Sequence, residues 1–348
     1  MKIDPLSHDM GNLEREIRMY FQQSNRWNCL DVTKMSVELE GIFARYGFRD
    51  LLYSPRVRHA KQILVLRLDE VGDLVLTTPF LRELRRNFPE ANITLVVKSH
   101  VYNLMEECPY INHIVAVNGM DIDVSNGRVL DEFLRICRDM LWRQRYDLCI
   151  MPRFDVDLNG ACLLGFLSGA AVRIGYSEVV TPWKKARNQG YDSLFTHVLS
   201  GKCETHEVER NLDVLRRLSL SIEEDNLELW TDLEDEKFAA GEFVEPAAKR
   251  IVFAPGKAAN SRAWPTDRYI ALGKKLIEEY DADIVVVGSL SERDACSIIE
   301  QALPGRVKNF AGRTTLRQVV ALLRFCDIYV GRDTGIMHMA NAVGIPVV

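Results

Sequence analysis

The sequence lacks the features that mark several large classes of protein. Its eight cysteines form no CxxC pair, so neither a structural zinc site nor a disulfide framework is predicted. We expect the protein to reside in a reducing cytoplasm. The longest largely apolar run, 161–172, is interrupted by glycines and is too short to span a bilayer. The first residues, MKIDPLSHDMGN, contain no apolar core, so no secretory signal is predicted there.

An excess of charge of one sign is also absent. The 44 Lys and Arg residues nearly balance the 49 Asp and Glu residues, and the net charge of −5 argues against a nucleic-acid partner bound through bulk charge. A hydrophobic content of 47% and a charged content of 27% are typical of soluble globular proteins. At 348 residues the chain is long for one hydrophobic core, so two domains are expected.

Three regions differ in their pattern of apolar residues. Residues 1–60 contain two amphipathic patterns with charges of mixed sign, which predict an N-terminal helical extension packed on the main body rather than a membrane-surface helix. Strand and helix patterns alternate over 61–235 and again over 245–348, and the acidic stretch 229–250 is favoured as the boundary. This alternation predicts an α/β protein of two Rossmann-like, doubly wound parallel-sheet domains that face a cleft.

Ligands of open parallel sheets bind at the carboxyl ends of the strands, so functional residues are expected in the corners that follow the strands. In the first corner, RLDEVGDLVLTTP (67–79), Gly72 relieves a tight turn and Asp73 stands at the start of a helix. The residues leave open whether Asp73 is a helix cap or a functional carboxylate. The corner has neither the GxGxxG pattern nor the lysine of a P-loop, which argues against dinucleotide or ATP binding in those modes.

The second corner, APGKAANSRAWPTDRY (254–269), begins the second domain. It offers Lys257, Ser261 and Arg262 on a loop of small residues just before a helix. Cationic and hydroxyl side chains on such a loop can bind a diphosphate. The alternative is a solvated charged loop, with Trp264 packed where the helix begins.

Two further segments carry candidate residues. Glu292 follows the next predicted strand, where a carboxylate can accept hydrogen bonds from ribose hydroxyls; a first-turn glutamate that favours the helix dipole is the alternative. In GRDTGIMH (331–338), Asp333 or Thr334 is expected to cap a helix whose first N–H groups can bind phosphate. His338 lies one turn into that helix, where a packed or solvated histidine is the alternative to a ligand.

Together the three corners, with LSGAAVRIGYSE and HEVERNLDVLRRLSL, resemble glycosyltransferase family 9, the bacterial heptosyltransferases and their relatives. The resemblance extends over roughly residues 61–348. It implies a GT-B fold in which the first domain binds mainly the acceptor and the second binds the nucleotide-sugar. It also implies inverting transfer without a metal or other cofactor, from ADP-heptose in the best-known members.

The resemblance assigns roles to individual residues. Asp73 corresponds to the proposed general base, and Arg262 to a basic residue that contacts the donor phosphates. Lys257 stands where the best-known members carry a nucleotide-contacting hydroxyl, so its position matches but its chemistry does not. The other positions that correspond to donor-binding residues of the family are Glu292, Thr314, Asp333, Thr334, Gly335 and His338.

The acceptor is less well defined than the donor. The extension 1–60 and the loop 151–169 differ from the lipopolysaccharide-core heptosyltransferases, and on that loop Arg153, Asp155 and Asp157 are either acceptor contacts or part of a solvated loop. We expect a nucleotide-sugar donor and a glycan or glycolipid acceptor, handled in the cytoplasm with peripheral contact to the inner membrane surface. Because the family pattern continues past the final GIPVV, a non-catalytic relative that binds nucleotide-sugar or glycan is the alternative.

Overall fold

A computed structural model describes residues 5–23, 31–48, 57–118, 127–201, 205–244, 249–256 and 264–348. Contacts divide the chain into two compact units. Unit 1 is made of Met1–Asp69, Pro79–Tyr102 and Pro109–Asp225. Unit 2 is made of Glu70–Thr78, Asn103–Cys108 and Asn226–Val348. The corner with Gly72 and Asp73 therefore packs with unit 2, although it follows the first strand of unit 1.

The sheet of unit 1 is parallel in every pairing that joins its strands. In chain order the strands are β1 (Gln62–Arg67), β2 (Asn92–Lys98), β3 (His113–Val117), β4 (Leu148–Met151), β5 (Val172–Tyr176) and β6 (His197–Leu199). They lie in the order β3-β2-β1-β4-β5-β6. Strand order reverses beside β1, so this sheet is doubly wound as predicted.

Helices precede and connect these strands. In chain order they are α1 (Pro5–Gln23), α2 (Val32–Arg45), α3 (Val71–Val75), α4 (Thr78–Asn87), α5 (Tyr102–Met105), α6 (Gly127–Ile136), α7 (Ala161–Leu167), α8 (Pro182–Arg187) and α9 (Glu207–Arg217). Helix α3 and all but the first residue of α5 belong to unit 2. The N-terminal helices α1 and α2 bury Leu13, Ile17 and Phe43 in the same apolar cluster as Leu64 and Phe166. The predicted helical pair is thus confirmed, and its apolar faces are part of the core of unit 1.

Unit 2 repeats the parallel arrangement on a smaller scale. Its strands are β7 (Lys249–Ala254), β8 (Ala282–Val286), β9 (Val307–Asn309) and β10 (Ile328–Gly331), in the order β10-β7-β8-β9. Its later helices are α10 (Leu233–Glu242), α11 (Thr266–Tyr280), α12 (Arg293–Ala302), α13 (Leu316–Leu323) and α14 (Gly335–Ala342). Val347 forms a parallel bridge with Tyr329, so the predicted last strand begins beside β10.

Two stretches whose apolar pattern predicts one continuous helix, 74–88 and 128–145, are shorter or more broken in the structure. The stretch 74–88 contains the end of α3, which stops at Val75, and α4, which begins at Thr78, because Pro79 cannot continue the hydrogen bonding of a helix interior. The stretch 128–145 is α-helical only to Ile136, and at its end Arg145 has a left-handed φ of 52°. The three-residue strands β6 and β9 were not predicted, since so short a run carries no readable period.

Two observations concern the environment of the chain. No helix among the described residues is both long enough and apolar enough to cross a membrane. The six cysteines that the structure describes are free and buried. Burial raises the pKa of the Cys149 thiol to about 12, which leaves it protonated and unreactive near neutral pH.

Candidate active site

The carboxyl edge of the unit 2 sheet is shaped by the turn that follows β10. β7 and β10 are in register, with Gly331 opposite Ala254, so their following loops leave the sheet together. The buried Tyr329 hydroxyl donates to the Arg332 carbonyl at 3.2 Å and lies 3.4 Å from Thr334 Oγ1. Burial raises the pKa of Tyr329 to about 12, so this hydroxyl keeps its proton and holds the turn.

Helix α14 begins at this turn. Thr334 is its N-cap residue, with an extended backbone (φ −142°, ψ 170°), and its carbonyl accepts from the Met337 and His338 N–H groups at 3.0 and 3.4 Å. Of the two caps considered from the sequence, Thr334 is therefore the cap residue. The Asp333 side chain is 87% exposed, and His338 Nε2 lies 3.7 Å from its Oδ1. The first N–H groups of α14, from Gly335 onward, belong to the type of helix start that binds phosphate.

Helix α3 packs closely on α14 within unit 2. A Cβ placed on Gly72 would lie 2.6 Å from Cδ2 of His338, and a Cβ on Gly335 would lie 2.5 Å from Cβ of Val71. Both glycines are therefore required by the approach of the two helices. This contact brings the segment of Asp73 together with the motif Asp333–His338, two corners that are about 260 residues apart in the sequence.

Asp73 is not the cap that one interpretation proposed. Helix α3 begins two residues earlier at Val71, and its N-cap residue is Glu70. Asp73 is half-buried in the first turn, and its carbonyl accepts from Thr77 Oγ1 at 2.7 Å. With the capping role excluded, the functional interpretation of its carboxylate stays a prediction.

Glu292 and Thr314 lie on neighbouring loops. Glu292 Oε2 accepts from the Ser289 N–H at 2.6 Å and from Ser289 Oγ at 2.9 Å, so its carboxylate closes a capping box after β8. Thr314 directly precedes Thr315, the N-cap of α13. The two loops are joined where the Gly312 N–H donates to the Gly288 carbonyl at 2.9 Å. The helix-start role expected as the alternative for Glu292 is thus observed, and ribose binding stays a prediction.

The remaining donor candidates, Lys257, Ser261 and Arg262, lie outside the described residues. Trp264, two residues after Arg262, packs edge-on against Tyr269, with ring centroids 4.7 Å apart. Tyr269 in turn contacts Phe253 of β7 at 5.2 Å. The predicted packing of Trp264 at the start of α11 is therefore confirmed.

The acceptor candidates of unit 1 are held by internal contacts. Asp157 is buried and accepts from the Ala161 and Cys162 N–H groups at 3.1 and 2.8 Å, at the start of α7. Asp155 accepts from Thr181 Oγ1 at 3.0 Å. These contacts fit a structural role for both aspartates, whose part in acceptor binding stays a prediction.

Arg153 belongs to a network of charges at the carboxyl end of β1. Its guanidinium lies 3.0 Å from Asp69, which also pairs with Arg67 at 3.1 Å. Arg67 is 0% exposed and donates to Glu207 at 2.7 Å. Neither Arg67 nor Glu207 was predicted from the sequence, although a single arginine inside the apolar strand QILVLRL indicates a buried charge that needs partners.

Another residue that was not predicted from the sequence, Lys184, fixes the loop that carries Arg153. The Lys184 side chain is buried, and its Nζ donates to the Phe154 and Tyr176 carbonyls at 2.9 Å each. Burial lowers the pKa of Lys184. Its sequence context, PWKKAR, gave no indication of burial because short runs of lysine and arginine are usually solvated.

The chain is similar to known proteins in both sequence and fold. A family model described as Glycosyltransferase family 9 (heptosyltransferase) matches residues 137–348. The chain is 25% identical over 304 residues to lipopolysaccharide heptosyltransferase 2 of Escherichia coli K12, which covers 82% of this chain and 81% of that protein.

Two solved structures are similar to this one. A glycosyl transferase family 9 protein from Veillonella parvula matches with a TM-score of 0.71 and 19% identity, over 82% of this chain and 79% of that one. The ADP-heptose lps heptosyltransferase II of Escherichia coli matches with a TM-score of 0.64 and 23% identity, over 82% and 83% of the two chains. These likenesses confirm the predicted GT-B fold.

Proposed function

Because the chain belongs to glycosyltransferase family 9, we propose that this glycosyltransferase moves heptose from ADP-heptose onto a lipopolysaccharide or other cell-surface glycan precursor. The names of the Escherichia coli relatives support this choice of donor and acceptor. The observation that carries the proposal is the packing of α3 on α14, since it brings the Asp73 segment to the motif Asp333–His338 within one compact unit.

Asp73 acts as the general base in this proposal. Its carboxylate takes the proton from the acceptor hydroxyl as that oxygen attacks the anomeric carbon, and the bond to the nucleoside diphosphate breaks on the opposite face. Attack from the far side inverts the anomeric configuration. Asp73 is half-buried in the first turn of α3, next to the motif Asp333–His338 of the proposed donor site.

The donor side stabilises the leaving diphosphate. Its negative charge increases as the glycosidic bond breaks, and preorganised N–H groups at the start of α14, together with Arg262, offset that charge without a metal ion. Lys257, Ser261, Thr314 and the other donor candidates extend this site toward the nucleotide. The reaction is placed on the cytoplasmic side, at the membrane surface where a glycolipid acceptor is available.

A donor panel combined with an Asp73 variant tests the proposal. Purified full-length protein is titrated with ADP-, UDP-, GDP- and CDP-sugars in thermal-shift assays, and transfer is measured with ADP-heptose and a lipopolysaccharide-core acceptor. Asp73→Asn should lower kcat by about 10²- to 10⁴-fold while the affinity for ADP changes little, because only the proton acceptor is lost. Asp294→Asn, an exposed first-turn aspartate of α12, is the matched control and should keep full activity.

The outcomes separate the competing interpretations. Unchanged turnover of Asp73→Asn removes Asp73 as the base. Binding of ADP-sugars by the wild type without transfer to any acceptor favours a non-catalytic binding relative. A preference for a nucleotide other than ADP contradicts the proposed donor.

A further inference from the structure

Arg332 is the residue of the unit 2 edge that the motifs did not single out. Its side chain crosses the backbone of Gly256, so that a Cβ on Gly256 would lie 2.8 Å from Arg332 Nη1 and 3.2 Å from its Cδ. Gly256 also has a left-handed φ of +72°. The left-handed backbone favours glycine at position 256, and the Arg332 side chain lies directly against it.

The position of Arg332 is fixed from two sides. Its carbonyl accepts the Tyr329 hydroxyl at 3.2 Å, and it follows Gly331 at the end of β10. Burial raises the pKa of the Tyr269 hydroxyl, and the positive charge of Arg332 opposes that rise. The closest approach of the Arg332 side chain to a neighbouring segment is at Gly256, two residues after the end of β7. Arg332 therefore lies between the ends of two neighbouring parallel strands, where ligands of such sheets bind.

The charge of Arg332 has no counterpart in this part of the structure. Among the residues described here, no carboxylate lies within ion-pairing distance of its guanidinium, whereas Asp333 is near His338 instead. Arg332 is half-buried, and a guanidinium stays protonated at every physiological pH. A partly desolvated, permanent cation without a carboxylate is best compensated by an anionic ligand.

We propose that Arg332 binds the diphosphate of the nucleotide-sugar and stabilises it as the leaving group. This inference rests on the proposed function and adds a residue that the family motif does not include. Planar guanidinium groups bind phosphate oxygens through two parallel hydrogen bonds, and the first N–H groups of α14 lie only three residues further along the chain. Because the diphosphate gains charge during transfer, Arg332 contributes to both donor affinity and turnover.

Calorimetric titration of ADP and adenosine into the full-length protein tests this assignment. Arg332→Ala should weaken ADP binding by about 10- to 100-fold, the range expected for lost hydrogen bonds to a charged group, and should leave adenosine binding within about two-fold. Arg332→Lys should recover part of the ADP affinity, since it restores charge without the planar pair of donors. Transfer of heptose should slow in the same order of variants.

Arg306→Ala is the matched control. Arg306 lies at the amino end of the same sheet and pairs with Asp281 and Asp283, so its loss should leave ADP affinity unchanged. Wild-type ADP affinity in Arg332→Ala overturns the inference and leaves the proposed function intact. Equal losses for ADP and adenosine also overturn it, because they indicate general damage to the pocket. If the wild type itself binds no ADP, the proposed function fails and this inference fails with it.

Discussion

The carboxyl edges of the two sheets carry charged residues in opposite states. In unit 1, Arg67 is completely buried between Asp69 and Glu207, and Arg153 pairs with Asp69 as well. In unit 2, Arg332 has no carboxylate partner among the described residues, and the Asp333 carboxylate is 87% exposed. The first edge neutralises its charges internally, whereas we infer that the second leaves Arg332 for an anionic ligand.

The charged residues of the two edges are expected to have different effects on stability and on ligand binding. A buried ion-pair network loses hydration that its mutual attraction only partly offsets, so its main effect is a fixed arrangement of the loops that carry it. Charges that face solvent retain hydration until a ligand replaces the water, and they then contribute to binding. We therefore expect substitutions at the unit 1 edge to reduce stability and substitutions at the unit 2 edge to reduce function.

The largest effect on stability is expected for Arg67→Ala. It leaves Asp69 and Glu207 without their buried cation and opens a cavity, which should lower the free energy of unfolding by about 3–5 kcal/mol. Urea denaturation followed by circular dichroism measures this loss. Arg135→Ala removes an exposed pair with Glu132 and should cost less than about 1 kcal/mol. Comparable losses in the two variants would contradict the structural role of the unit 1 network.

A smaller loss of stability is expected from a substitution at the contact between α3 and α14. Gly335→Ala places a Cβ 2.5 Å from Cβ of Val71, and overpacking of this kind costs about 1–3 kcal/mol and displaces the Asp73 segment. Heptose transfer should fall as well, and Val71→Gly in the same chain, which removes the opposing Cβ, should restore part of both the stability and the transfer activity. Stability is read by urea denaturation and transfer by heptose incorporation.

Gly241→Ala provides the control for that substitution. Gly241 lies in α10 of the same unit and has open space where a Cβ would stand. An alanine there should raise the free energy of unfolding by about 0.5–1 kcal/mol through helix propensity. If Gly335→Ala is as well tolerated as Gly241→Ala, then close packing of α3 on α14 does not govern activity.

The sequence was sufficient for features that depend on local pattern. Buried parallel strands such as QILVLRL and NITLVVK read as apolar runs, and their bounds agree with β1 and β2. Gly72 was also identified as a turn residue, and Gly335 as a position of the donor motif. Their stronger requirement, the approach of α3 to α14, could not be predicted because it joins segments that are distant in the chain.

The interaction partners of charged residues were the hardest feature to predict from the sequence. Asp155 and Asp157 look like loop carboxylates in the sequence, yet both accept hydrogen bonds that hold the loop before α7. Arg67 and Arg332 each follow or end an apolar strand, and nothing local distinguishes the arginine that is paired from the one that is not. Pairing depends on which loops the sheet order brings together, and that order is a tertiary property.

The smallest effect on stability and on ADP affinity is expected at Glu292. Like the carboxylates of the unit 1 edge, this side chain already has a partner, since it accepts hydrogen bonds from Ser289. Glutamine also serves in a capping box, so Glu292→Gln should change the free energy of unfolding by less than about 0.5 kcal/mol. If the carboxylate also accepts from ribose hydroxyls, ADP affinity should fall about three- to ten-fold while pyrophosphate affinity stays constant. Calorimetry with both ligands measures this separation, and an unchanged ADP affinity would leave Glu292 as a helix cap alone. Together with Arg332→Ala, this experiment tests whether Glu292 binds the ribose and Arg332 binds the diphosphate. Substitutions of the paired charges at the unit 1 edge should not separate the two affinities in this way.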